Sequence, residues 1–393
     1  MKFYVIGDVT VDHMHFLERI PVAGEDITPS RTVLLPGGAG GTMAYHAAHL
    51  GHTVTLAARV GQDPFANVAL ENLKTSGVNL DALQYDQSIM TSTVTILVTE
   101  GAERTMISAS GANRHLDTAQ IQNKTLTGSD AVIISAYALI GGAQREYAVN
   151  AMQQAKKAKI PVFIDLGTGA VNAAGTSLLE MVKTADYLLM NQLELFRITG
   201  KNSISEALEN LEALGLQTVV IKVGALGAIL WTPKESELLE GYAVENVLDT
   251  TGAGDAFTVA FAHAVLSDFT LPRAVAYANI AGAMAAQAIG AQGAILDHTQ
   301  IVEHLTEREA EKAARVLAKQ TRSGKRVKPK DNSLTTPMKT IIAKTPAPSK
   351  PLVTAPSKPA MPTKTPNQIL RLEPPPAPIA EPEEPKKRGR KRV

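Results

Sequence analysis

Short, strongly apolar runs alternating with helical patterns constrain this chain more than any other feature. Phe3–Gly7, Val54–Ala57, Ala131–Ser135, Val162–Asp165, Tyr187–Met190, Val219–Val223 and Ala228–Trp231 are of strand length and nearly free of charge. Such runs belong to strands covered on both faces. Helical patterns lie among them at Ala39–Leu50, Phe65–Ser76, Gln144–Lys157, Gln192–Ile198, Ser203–Leu214 and Ala256–Ser267. The alternation predicts an α/β fold with a mostly parallel sheet and helices on both faces. Met14–Leu35 and Thr91–Ser110 break the pattern by alternating polar and apolar residues at period two. That is the mark of antiparallel strands, and it predicts a small accessory sheet drawn from about residues 12–35 and 91–110. A last helix, Thr299–Lys319, closes the body.

The fold cannot extend to the end of the chain. Residues 321–393 hold 17 of the 39 basic side chains and 5 of the 38 acidic ones, with 15 of the 22 prolines and none of the aromatics. A segment of that composition buries too little apolar surface to offset its ordering entropy. The expectation is therefore one body, 1–320, and a disordered Pro/Lys-rich tail, 321–393. The net charge of +1 is the near-cancellation of an acidic body and a basic tail, so any polyanion contact is assigned to the tail. No cysteine is present, which excludes a disulfide framework, a thiolate metal site and a cysteine nucleophile. Met1 leads straight into an apolar run without the layout of a signal peptide. The uncharged stretch Ala274–Leu296 contains Asn279, Gln287 and Gln292, and is read as a buried helix running into a loop. The expectation is a soluble, cytoplasmic protein.

Two glycine clusters carry chemistry. Asp249-Thr-Thr-Gly252-Ala253-Gly254-Asp255-Ala-Phe257 precedes a long Ala-rich helix. Glycines there let successive amides converge at a helix N-terminus, where unpaired N–H groups and the helix dipole favour an anion. A carboxylate beside that point, Asp255, suits a base that takes the proton of an attacking hydroxyl. It equally suits an ordinary N-capping aspartate after a glycine turn. Pro36-Gly37-Gly38-Ala-Gly-Gly41 allows close approach of a ligand to the backbone, or close packing of helix on sheet.

Together these segments resemble the ribokinase-like (PfkB-type) carbohydrate and nucleoside kinases, from Val5 to about Leu305. The family signature D-T-x-G-A-G-D-x-F is met by Asp249–Phe257, its Gly-Gly pair by Gly37-Gly38, and the Leu-Gly that closes that signature by Leu50-Gly51. Its Asn-x-x-Glu is met by Asn191–Glu194, its nucleotide turn by Lys222-Val-Gly224-Ala-Leu-Gly227, and its Gly-Ala-Asn by Gly111-Ala-Asn113.

The resemblance implies a three-layer sandwich whose accessory strands form a lid over a sugar. It implies Asp255 as base, with the amides of Gly252, Ala253 and Gly254 as an anion hole for the γ-phosphate of ATP. Asp12, placed on the turn after the first strand, would bind the sugar with Gly37, Gly38, Thr42 and Asn113. Asn191 and Glu194 would organise Mg²⁺ through water, and Lys222, Gly224, Gly227 and Asn279 would border the nucleotide. A monovalent cation such as K⁺ would sit at Asp249, Thr251 and carbonyls near Ala285, Ala288 and Gly290. A homodimer paired through the lids is a further family expectation. Taken alone, Asp12 is an ordinary turn residue, and Asn191 with Glu194 is a capping box at a helix start.

Three positions depart from the family. Thr42 replaces the asparagine after the Gly-Gly pair, Ala66 replaces a glycine after Gly61-Gln-Asp63, and Asp165-Leu-Gly-Thr lacks the Asp-x-Asn-x-Arg of many fructose and ketogluconate kinases. These spare the phosphoryl-transfer residues but weigh against ribose as substrate. The reading is an ATP-dependent kinase of a sugar or sugar derivative, with a nucleoside kinase as the alternative within the class. No P-loop motif and no G-x-G-x-x-G occurs. His46, His49 and His52 lack a completing carboxylate and are read as core or solvated histidines. The tail run 386–392 resembles the Arg-Gly-Arg element of AT-hooks. It suits weak, salt-dependent nucleic-acid contact or a solubilising role, and the former leaves open a DNA-associated protein with the kinase fold as binding module.

Overall fold

A computed structural model describes residues 1–99 and 104–322, with side chains as far as Arg315. The tail expected from 321 onward, including 386–392, lies outside the described residues apart from its first two positions. The main sheet has eight strands. In chain order they are β1 (Lys2–Ile6), β4 (Thr53–Ala57), β9 (Ala131–Ser135), β10 (Val162–Asp165), β11 (Tyr187–Asn191), β12 (Val219–Lys222), β13 (Gly227–Trp231) and β14 (Ser236–Glu240). Their spatial order is β14-β13-β12-β11-β10-β9-β1-β4. From β4 to β12 all pairs are parallel, and β13 and β14 are added antiparallel.

Alternation within each strand builds two cores. Phe3 and Val5 face a core shared with the helices Ala39–His49, Pro64–Thr75, Ala253–Leu266 and Leu271–Ala285. Tyr4 and Ile6 face the other, under Gly142–Ala158, Gln192–Thr199 and Ile204–Ala213. Three layers result, because strands apolar on both faces need helices on both. The uncharged stretch is the helix Leu271–Ala285 followed by a loop, and no described helix is long and apolar enough to cross a membrane. The closing helix is His298–Arg322.

The accessory sheet comprises β2 (Thr10–Phe16), β3 (Arg31–Gly37), β7 (Ser92–Val98) and β8 (Arg104–Ala109), in the order β3-β2-β7-β8. A minor pair, β5 (Arg59–Gly61) with β6 (Gln84–Asp86), lies between the two halves in sequence. Two hairpins are antiparallel as expected, but β2 and β7, which join them, run parallel. The chain between them passes through two helices and β4, and such a crossover returns it to the same end of the sheet. Thr10 and Asp12 of β2, Ser92, Val94 and Ile96 of β7, and Met106 and Ser108 of β8 face one cavity.

Candidate active site

The apolar runs end on polar residues along one edge of the sheet. Asp8 follows β1, Ser135 ends β9, Asp165 ends β10, Asn191 ends β11 and Lys222 ends β12. Register places Asp165 opposite Ser135 and Asn191 opposite Lys222. Ligands of open α/β sheets bind beyond this carboxyl edge.

Above it lies a cavity of about 630 Å³ between the sheet edge and the accessory strands, lined by Asp12, Gly38, Thr42, Asn113, Gly252 and Asp255 among others. Most of the catalytic and sugar-facing candidates therefore meet in one space, while Gly37, Ala253 and Gly254 do not line it. Asp12 is not on a turn: it is the third residue of β2, because the period-two pattern starts at Thr10. Burial pushes its carboxyl up to about 6, and Asp8 and Asp249 add to this against the hydrogen bond from Thr10. Gly37 lies beneath it, where a Cβ would come within 2.4 Å of the Asp12 carboxylate. Thr42 is fully buried and its Oγ1 has no hydrogen-bond partner. Asn113 is spent on the chain itself: Oδ1 accepts from Val9 N, and Nδ2 donates to Val9 O and Ser92 Oγ.

The helix Ala253–Leu266 begins at Gly252, at φ 78° and without a side-chain cap. Any Cβ there would sit 2.6 Å from the Ala291 carbonyl oxygen, so the turn requires glycine. Its open N-terminus suits a phosphate in donor chemistry and charge. Asp255 stands in the first turn. Burial, then Asp165, holds its carboxyl well above the usual carboxylate range, with Lys222 opposing.

Lys222 Nζ donates to Asp165 Oδ1 at 2.6 Å and reaches the Gly254 carbonyl at 3.5 Å. Burial alone would lower its pKa, yet Asp165 and Glu194 hold it above the ordinary lysine value. Asn191 and Glu194 do form the capping box. Glu194 Oε2 accepts from Asn191 N, and Oε1 accepts from Asn191 Nδ2 and Thr168 Oγ1. With both oxygens so engaged, Glu194 fits a divalent cation held through water. No three acidic or imidazole groups converge on a metal-sized point among the described residues. Mg²⁺ normally takes one or two carboxylates and completes its shell with water and phosphate oxygens, so the donor set fits.

Gly224, Gly227 and Asn279 lie along β12–β14. Gly227 pairs with Glu240, and Asn279 Nδ2 donates to the Leu239 and Glu240 carbonyls. None of these, nor Lys222, lines the cavity; the Lys222–Gly254 contact joins the two groups. Asp249 Oδ1 accepts from Thr251 N and Oγ1, and Oδ2 from Gly290 N. Ala285 O accepts from Ala288 N at 3.3 Å. Arg104, reaching in from β8, donates to Asp249 at 2.7 Å and to the hydroxyls of Thr250 and Thr251. The side chains expected around a monovalent cation thus already share a guanidinium.

Asp8, Asp165 and Arg104 were missed as site residues. For the two aspartates the signal was available, a carboxylate at the end of an apolar strand run, whereas nothing local marks Arg104. The three histidines lie against the core. His46 meets the Ala291 carbonyl, His49 the Ser76 hydroxyl, and His52 meets His263, which continues to His298.

Comparison with known proteins places the chain in a family. The model of the pfkB family carbohydrate kinases matches residues 2–298. Ribokinase from Bacillus subtilis is 29% identical over 310 residues, covering 77% of this chain and 98% of the relative. Ribokinase from Haemophilus influenzae is 26% identical over 310 residues, covering 77% and 97%. The structure of Arabidopsis thaliana ribokinase complexed with ribose and ATP superposes with a TM-score of 0.68 at 25% identity, covering 77% of this chain and 98% of that one.

Proposed function

The chain belongs to the pfkB family of carbohydrate kinases, and on that premise we propose that it transfers the γ-phosphate of ATP to a hydroxyl of a sugar or sugar derivative held in the lidded cavity. The observation that carries this reading is the meeting of Asp255 and the uncapped helix N-terminus at Gly252–Gly254 on a cavity faced by the accessory sheet. The sugar hydroxyl lies between Asp255 and the phosphorus. Its oxygen forms the new bond to phosphorus, its proton passes to the Asp255 carboxylate, and the bond to the bridging oxygen breaks to release ADP. A carboxyl whose pKa lies nearer neutrality is the better match for that proton. The Gly252–Gly254 amides take up charge on the transferring group.

Lys222 keeps its charge through Asp165 and stands beside Gly254, where phosphate oxygens would approach. Glu194, oriented by Asn191 and Thr168, would hold Mg²⁺ through water, and the metal's contribution is to neutralise charge on the phosphates. Asp12 orients the sugar. Sugar-dependent ADP release, with the product hydroxyl located by ³¹P NMR across pentoses, hexoses, sugar acids and nucleosides, tests the reading. Release stimulated by a sugar supports it. Stimulation by nucleosides alone would move the protein to the other branch of the class, and no stimulation by any of them would overturn it.

A further inference from the structure

One wall of the cavity holds donors without protein partners. Arg114, Ile140 and Gln144 line it together. Arg114 is exposed, forms no ion pair among the described residues, and is not paired with Asp8, Asp12 or Asp255, which line the same space. Gln144 is 3% exposed and its Nε2 has no hydrogen-bond partner. A buried amide donor left unpaired costs about 1–3 kcal/mol, a cost that an acceptor on a ligand in this cavity would remove. Gln144 stands in the first turn of the helix Gly142–Ala158, which has no side-chain cap and no acidic residue in that turn. The helix start packs against Arg114: a Cβ on Gly141 would lie 3.6 Å from its Nη2. A guanidinium, an amide N–H and a helix N-terminus all favour negative charge. Asp12 and Asp255 on the same cavity are acceptors for hydroxyls.

We propose that the sugar this cavity takes carries an anionic group, a carboxylate or a phosphate, received by Arg114, Gln144 Nε2 and the N-terminus of the helix Gly142–Ala158. This rests on the kinase reading and departs from the ribokinase relatives in the charge of the substrate. The positive group comes from the segment that follows Gly111-Ala-Asn113.

The test uses matched pairs: glucose against gluconate for a carboxylate, and fructose against fructose 6-phosphate for a phosphate. Wild-type kcat/KM should favour the anionic member of at least one pair by about tenfold or more, as expected for charge-assisted hydrogen bonds. Which pair shows it distinguishes the two sources. R114A and Q144L should each lower kcat/KM for the anionic sugar more than for its neutral partner, with R114K partly restoring R114A. Equal preference within both pairs, or losses in R114A that do not distinguish charged from neutral sugars, would overturn the proposal. Thermal shift with gluconate and fructose 6-phosphate gives a readout without turnover. If no sugar is phosphorylated the kinase reading fails, whereas an anion-specific shift lost in R114A still upholds the site and its absence sinks it.

Discussion

The two ends of the helix Ala253–Leu266 bury titratable groups in opposite ways. At its N-terminus Asp255 is surrounded by Asp165, Asp8 and Glu194, with Lys222 as counter-charge. Near its C-terminus His263 links His52 and His298 in a hydrogen-bonded chain, with 2.9 Å at each step, and Tyr277 caps it at His298. Burial presses both ends toward neutrality. The histidines comply: burial takes His52 down to about 3 and His263 down to about 4. Each contact in that chain needs one proton, which neutral tautomers can supply, and it is burial that disfavours charge on His52 and His263. The carboxylates cannot all be neutralised that way and keep lysine and arginine beside them. A buried polar cluster that satisfies itself is architecture; one that needs outside charge is a site.

Three tests press on this contrast, from the largest effect to the smallest. K222M removes the counter-charge and leaves Asp165 buried and unpaired. It should lower stability by about 3 kcal/mol, read as a fall in melting temperature, and reduce kcat by about a hundredfold. R104A unties the lid strand β8 from the loop before Gly252. It should lower kcat/KM by about tenfold, as for loss of one charged hydrogen-bonding partner. If K⁺ restores part of that loss, the vacated Asp249–Thr251 position accepts a monovalent cation.

The third test concerns pH and gives opposite signs in the cavity and in the histidine chain. Asp12, raised to about 6, stays protonated in the folded protein where the unfolded chain has ionised. Its stability contribution is whole below about pH 4 and lost as pH rises through 6. D12N should therefore melt higher than wild type at pH 7–8, with no gain below about pH 4. The histidines do the reverse. Both states are neutral above about pH 6.5, and stability falls below it by at most about 1.4 kcal/mol per pH unit for each ring, until the folded pKa is reached. H263N should flatten that acid limb of the melting curve. Parallel limbs in wild type and H263N would remove the histidine chain from the account.

The layers were legible in the sequence because the central strands are apolar on both faces; β9 and β10 have the bounds the pattern predicts. β14 was missed because Ser236-Glu-Leu-Leu-Glu240 is a short edge strand with only two apolar residues, between Glu237 and Glu240. The parallel β2–β7 pairing was hidden because period two reports which face is buried, not strand direction. Among site residues, those fixed by backbone demands, such as Gly37 and Gly252, were legible as motifs. Gln144 and Arg114 carry no local signature, since their meaning depends on a cavity wall assembled from distant segments.

The most direct measurement is sugar-dependent ADP release by D255N beside wild type, with ATP binding and melting temperature followed in the same preparations. Removing the base should lower kcat by about a thousandfold, within the range for general-base catalysis, while ATP affinity and fold persist. A D255N enzyme keeping more than a tenth of wild-type kcat would contradict the assignment of this end of the helix to proton transfer.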